Sequence, residues 1–214
     1  MRVQGLTSFD RFMQHPVLIV LHQEHSTPGR LGHALQQLGY TLDVRRPRFD
    51  EALPATMAEH SAAIIFGGPM SANDGDDFIR REIEWVGVPL RDNKPFLGIC
   101  LGAQICAKFL GGKVFRHASG QAEAGYYPVR PTAAGLAVVE TWQFHPEVTH
   151  AMMHKWTTHG HERLAMPGAK PRHTHFADRA VYDYSARSWL KVFLERWFGR
   201  AQQGAGQFLP AAVD

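Results

Sequence analysis

The stretch Pro95-Phe96-Leu97-Gly98-Ile99-Cys100-Leu101-Gly102-Ala103-Gln104 sets a cysteine at the point where a buried strand turns into a helix. Phe96 to Ile99 is an apolar run of strand length, and from Leu101 the apolar positions Leu101, Ile105 and Phe109 recur along one helical face. Glycines flank the cysteine as Gly-x-Cys-x-Gly, the thiol counterpart of the Gly-x-Ser-x-Gly nucleophile elbow. So sharp a turn crowds its neighbours, and positions without Cβ relieve the clash. The helix N-terminus then turns its N–H groups and positive dipole end towards the sulfur, which favours the thiolate. Read alone, the motif fits a buried cysteine in an ordinary strand–helix turn equally well.

A thiol nucleophile needs a base, and the base needs a group that fixes its tautomer. Phe144-His145-Pro146-Glu147 offers both. In an extended chain His145 and Glu147 project to the same side, and Pro146 stiffens the link by fixing φ. Acyl transfer also needs backbone N–H donors for the developing oxyanion. The strand Ile64-Ile65-Phe66 ends in Gly67-Gly68-Pro69-Met70-Ser71, and a Gly-Gly turn beside the elbow supplies one donor, with the Leu101 N–H as the other.

Outside these motifs the chain alternates strand and helix. Val17 to Leu21 is a continuous apolar run, as in a strand covered on both faces. Leu31, Leu35 and Leu38 follow at helical spacing, and Gly39 stops that helix. Thr41 to Arg45 and Ala62 to Phe66 read as further strands. Asp76 or Asp77 caps a helix through Leu90, and the last third is expected to be helical from Val148 to His159 and from Arg187 to Phe198. This βαβα order predicts a flavodoxin-like α/β fold, a doubly wound, mostly parallel sheet with helices on both faces. Ligand sites in such sheets lie at the C-terminal strand ends, where Gly67-Gly68 and Cys100 both fall.

The three motifs, taken in this order, resemble the class I glutamine amidotransferase family, and most of all its stand-alone members related to the amidotransferase domain of GMP synthase. The resemblance runs from about Val17 to Phe198. It implies Cys100 as nucleophile, His145 as base and Glu147 as orienting carboxylate. It further implies an oxyanion and substrate site at Gly67, Gly68 and Leu101, with Gln104 near the substrate. The activity implied is hydrolysis of the glutamine side-chain amide through a γ-glutamyl thioester, with ammonia passed to an acceptor on a synthetase partner chain. A γ-glutamyl peptide hydrolase and a catalytically silent binding module of the same fold are the alternatives. The chain departs from the family after Gly135, where a longer segment with a tryptophan/histidine loop is expected before the His-Pro-Glu motif. Loss of neighbouring strands there predicts an exposed apolar edge at Val138, Trp142 and Phe144, and with it a homo-oligomer.

Bulk properties bound the remaining classes. At 214 residues the chain accommodates one α/β domain, expected over 16–200, with a lead-in over 1–15 and a frayed tail over 201–214. A net charge of +3 from scattered basic residues, Arg45, Arg46 and Arg48 being the tightest group, gives little footing for nucleic acid. No apolar run approaches a membrane span. The 2 cysteines suit a reducing cytoplasm. The 13 histidines include His150 and His154 at i, i+4 and His173-Thr174-His175 in an expected loop, without a further ligand at zinc spacing, so no metal is expected. No Gly-x-x-x-x-Gly-Lys-Ser/Thr loop is present, and no cofactor is expected.

Overall fold

Five short strands, β1 (Val17–Val20), β2 (Leu42–Arg45), β3 (Ala62–Ile65), β4 (Phe96–Ile99) and β5 (Glu140–Trp142), form one sheet in the order β2-β1-β3-β4-β5. The computed structural model describes residues 15–128 and 140–202. Every pairing is parallel, with Val17 beside Leu42 and Ala62, Ala63 beside Phe96, and Leu97 beside Glu140. That strand order and the helices between strands are those of a flavodoxin-like doubly wound sheet.

Period-two alternation divides the apolar side chains between two cores. Val17, Ile19, Ile64, Leu97 and Ile99 face helix α1 (Gly29–Gln37), which contributes Leu31 and Leu35, and the end of the C-terminal helix, which contributes Leu190, Leu194, Trp197 and Phe198. Leu18, Val20, Ala63, Ile65 and Phe96 face α2 (Asp77–Trp85) and α4 (Leu101–Phe109) through Phe78, Ile79, Trp85, Leu101 and Ile105. Each fully buried Leu or Ile stabilises the fold by about 1.5–3 kcal/mol, so the strand ends form a firm base for the loops above them. Phe109, expected on the buried face of α4, is 38% exposed and lies against the position of Gly87.

Three helices differ from expectation. The helix expected from Asp76 or Asp77 through Leu90 is broken at Val86 into α2 and a short α3 (Gly87–Arg91). Pro89 has no N–H to continue α2, but it fits the first turn of a new helix, where that N–H has no intrahelical acceptor. Helix α5 (His150–His159) starts two residues after Val148, because Thr149 Oγ1 accepts from Met152 N at 3.2 Å and caps it. The last helix, α6 (Arg172–Gln202), starts well before Arg187. His173 and His175 therefore lie in its first turn rather than in a loop, and His175 Nε2 donates to Lys170 O at 2.9 Å. Ion pairs hold this first half of α6. Lys170 meets Asp178 at 2.8 Å, and Asp183 binds both Arg30 of α1 and Arg179.

The apolar edge expected at β5 is covered from within the chain. Trp142 is buried, with Phe193 at 4.3 Å and Trp189 at 5.1 Å between ring centroids, and Phe144 stacks on it at 5.7 Å. Helix α6 thus covers Trp142 and Phe144 within the one chain. Val138, with the rest of 129–139, lies outside the described residues, as do most of the expected lead-in and tail. Among the described residues no helix is long and apolar enough to cross a membrane.

Candidate active site

Cys100 sits between the last residue of β4 and the first of α4 with φ 51° and ψ −101°. A non-glycine residue in the positive-φ region is strained by about 1–3 kcal/mol and persists only where its surroundings impose it. Here they do. Cys100 N donates to Trp142 O of β5 at 2.5 Å, and Gln104 N donates to Cys100 O at 3.0 Å. A Cβ on Gly98 would stand 2.6 Å from the Gly102 carbonyl, and one on Gly102 would overlap the Ile65 carbonyl oxygen of β3. The two glycines thus let α4 settle directly against β3 and β4, with the cysteine at the apex.

The loop after β5 brings His145 to that apex. Its ring and the Cys100 side chain both border the point where a Cβ on Gly67 would stand, and its Nδ1 lies 2.7 Å from Glu147 Oε1. The Glu147 carboxylate is buried, so Nδ1 carries the hydrogen donated to it and Nε2 is left for the sulfur side. Trp156 of α5 packs edge-on against the imidazole at 5.1 Å. Gly67 closes the other side, where a Cβ would come within 2.7 Å of His145 Cε1 and 3.2 Å of Cys100 Cβ. Burial of the ring works against its charge, but the hydrogen bonds to Cys100 and Glu147 and their charges outweigh it and raise His145 to about 10. Burial alone pushes the other thiol, Cys106 on α4, up to about 11, and both cysteines are free.

The remaining expected positions surround this trio. A Cβ on Gly68 would touch Leu101 Cδ2 at 3.2 Å, so the two expected oxyanion donors belong to neighbouring residues. Gln104 Oε1 accepts from Ala72 N at 3.3 Å, and its side chain lines an open cavity of about 490 Å³ with Lys113, Val114, Phe115, Thr141 and Gln143. Among the described residues no group of three or more His, Cys, Asp or Glu is placed to hold a metal ion.

Two contributors escaped the sequence reading. Gln143 Nε2 donates to Cys100 Sγ at 3.6 Å. Gln143 stands two residues before His145, so an extended chain would put both on one side, although β5 ends at Trp142 and the residues after it bend and turn. The second is the start of α1, where Arg30 N donates to Glu147 O at 2.9 Å and a Cβ on Gly29 (φ 53°) would stand 2.5 Å from that oxygen. The free N–H groups of a helix start therefore anchor the loop that carries the carboxylate.

The family description "Glutamine amidotransferase class-I" matches residues 20–136, a span that holds the Gly67-Gly68 turn and the cysteine elbow and ends before His145. GMP synthase [glutamine-hydrolyzing] of Herminiimonas arsenicoxydans is 33% identical over 109 residues, 50% of this chain and 19% of that protein. The same enzyme of Janthinobacterium sp. (strain Marseille) is 30% identical over 129 residues, 56% of this chain and 22% of that protein. The matches thus take in only about a fifth of those relatives. Two crystal structures share the fold at 22% identity. A glutamine amidotransferase from Thermotoga maritima has a TM-score of 0.73 over 86% of this chain and 98% of its own. One from Methylobacillus flagellatus has a TM-score of 0.75 over 92% and 99%. With more than half of its length matched and its cysteine elbow inside the match, this chain belongs to the class I glutamine amidotransferase family.

Proposed function

We propose that the chain hydrolyses the side-chain amide of glutamine with Cys100 as nucleophile, His145 as acid and base, and Glu147 as the carboxylate that orients it. The observation that carries this reading is the convergence of a strained elbow cysteine with a histidine whose second nitrogen is held 2.7 Å from a buried carboxylate. The Cys100 thiolate adds to the amide carbonyl, and the oxyanion is received by the N–H groups of Gly68 and Leu101. As the C–N bond breaks, the His145 imidazolium gives its proton to the departing nitrogen and ammonia leaves. His145, now neutral, takes a proton from water as its oxygen adds to the thioester. Collapse releases glutamate and restores the thiolate–imidazolium pair. Gln104 and Gln143 line the cavity for the amino-acid part of the substrate, and Lys113 offers its α-carboxylate a positive charge.

Ammonia from such a site needs an acceptor. The curated relatives are about five times as long as the spans matched here, and a separate synthetase chain in a reducing cytoplasm is the partner we propose. Glutamate release, accompanied by ammonium from glutamine or by the free second amino acid from a γ-glutamyl dipeptide, tests the activity. Turnover is expected with glutamine, less with a γ-glutamyl dipeptide, and none with the Cys100→Ala variant. Release from the dipeptide alone would move the assignment to a γ-glutamyl hydrolase. Neither substrate turning over above the Cys100→Ala background would leave a silent binding module.

A further inference from the structure

A second histidine–carboxylate pair lies behind the site, and the proposed chemistry leaves it unused. His22 follows Leu21 just past the end of β1, and Glu82 comes from α2. Both side chains are fully buried, and His22 Nε2 lies 2.9 Å from Glu82 Oε2. The other ring nitrogen, Nδ1, lies 3.2 Å from Gly67 O. Burying two ionisable groups is costly, and an apolar pair of similar size is often as stable or more so. Glu82 Oε1 adds to that cost, since it is buried without a hydrogen-bond partner. The pair is therefore hard to explain as a device for stability.

The hydrogen-bond chemistry of the pair is fixed by its partners. A carbonyl oxygen only accepts, so Nδ1 must carry a hydrogen and donate it to Gly67 O. The Nε2–Oε2 contact then shares a single proton between its two atoms, which locks the ring in the orientation that aims Nδ1 at the glycine. Gly67 C=O and Gly68 N–H belong to one planar trans peptide and point in opposite directions. Pinning the carbonyl on one side aims the N–H to the other. His22 Cβ would stand 3.1 Å from a Cβ on Gly68, and Leu101 Cδ2 would stand 3.2 Å from the same atom. The Gly68 backbone is thus held between His22 and the residue that carries the second expected donor.

We propose that His22, held by Glu82, is a positioning residue that presets the Gly67–Gly68 peptide so that the Gly68 N–H receives the oxyanion formed on a Cys100 adduct. This rests on the acyl-transfer reading above but not on glutamine being the substrate. A glycine pair is free to rotate this peptide, and a donor that must be reoriented during the reaction loses the advantage of preorganisation. Loss of one oxyanion donor lowers acyl transfer by about 10²–10³, and misaiming it is expected to cost about a hundredfold.

Two reactions of the same thiol provide the test. Acetylation of Cys100 by p-nitrophenyl acetate forms a tetrahedral oxyanion before p-nitrophenolate leaves. Alkylation by iodoacetamide displaces iodide at a saturated carbon and forms no oxyanion. In His22→Gln the new amide reaches Glu82 from the place of Nε2 but offers Gly67 no donor. In His22→Asn it stands in the place of Nδ1 and keeps that donor. Expected is an acetylation rate down about a hundredfold in His22→Gln and within about tenfold of the parent in His22→Asn. Alkylation of Cys100 should stay within about twofold in both. On glutamine, the same loss in His22→Gln should fall on kcat rather than KM. Equal loss of acetylation and alkylation, or no loss in His22→Gln, overturns the proposal, and so does a parent protein with no acetylation at Cys100. If His22→Gln has no cooperative melt, His22→Asn decides alone, with retained acetylation supporting the proposal and lost acetylation overturning it. A parent that acetylates at Cys100 but releases no ammonia from glutamine refutes the proposed substrate and leaves the positioning result standing.

Discussion

Replacing His145 with alanine is expected to lower amide hydrolysis by about three or more orders of magnitude, measured as kcat for ammonium release from glutamine. The imidazole is assigned two jobs that no neighbour can take over. It keeps the Cys100 sulfur paired with a positive charge, and it delivers the proton without which the amide nitrogen leaves as a poor anionic group. Glu147→Gln is expected to lose noticeably less, because an amide still reaches Nδ1 while the stabilising charge is gone. The raised value of His145, about 10, also sets a pH limit. A group whose folded value is raised favours the charged form below it, so the proton for the leaving nitrogen is available through neutral pH. It is lost only as pH rises through about 10. The alkaline limb of kcat/KM, which reports the free enzyme, should therefore lie near 10 and move down in Glu147→Gln. Turnover in His145→Ala near that of the parent would remove His145 from the chemistry.

Gly102→Ala is expected to destabilise the whole domain by about 3 kcal/mol or more, although alanine is the better helix former by about 1 kcal/mol. The usual sign reverses because the added Cβ would overlap the Ile65 carbonyl oxygen and approach the Ile65 carbonyl carbon to 2.8 Å. Both are backbone atoms at the C-terminal end of β3, held between β1 and β4, and cannot swing away as a side chain does. Helix α4 must back off, and Leu101 and Ile105 lose their contacts in the second core, an overpacking cost with cavity terms added. A urea melt reads the effect. An unchanged or higher midpoint would show that α4 does not lean on β3 as described.

How much of this could be read from residues depended on whether a pattern was local. The elbow, the Gly-Gly turn and the strands from Val17, Ala62 and Phe96 were legible, because burial on both faces leaves continuous apolar runs. The start of α6 was not. Around Val181, Tyr182 and Tyr184 the helix exposes large side chains and relies on ion pairs to Asp178 and Asp183, so no apolar stripe marks it. The break at Val86 is one that Gly87 and Pro89 do signal in the sequence, since both are poor helix formers and Pro89 has no N–H to continue α2. The covered edge at Trp142 required knowing that Trp189 and Phe193, far along the chain, return to β5. The motif residues of the site were visible by spacing. His22 and Glu82 lie 60 positions apart, and nothing in either neighbourhood pairs them before the fold does.

The central claim is that Cys100, and not merely the fold, carries out the chemistry on a γ-glutamyl carbonyl. The most direct measurement is peptide mapping by mass spectrometry after incubation with the diazoketone analogue of glutamine. One adduct on the Cys100 peptide is expected, slowed by excess glutamine. None is expected on Cys106, whose buried thiol is pushed up to about 11. An adduct on Cys106, or none at all in protein that releases ammonia from glutamine, would contradict the assignment of Cys100.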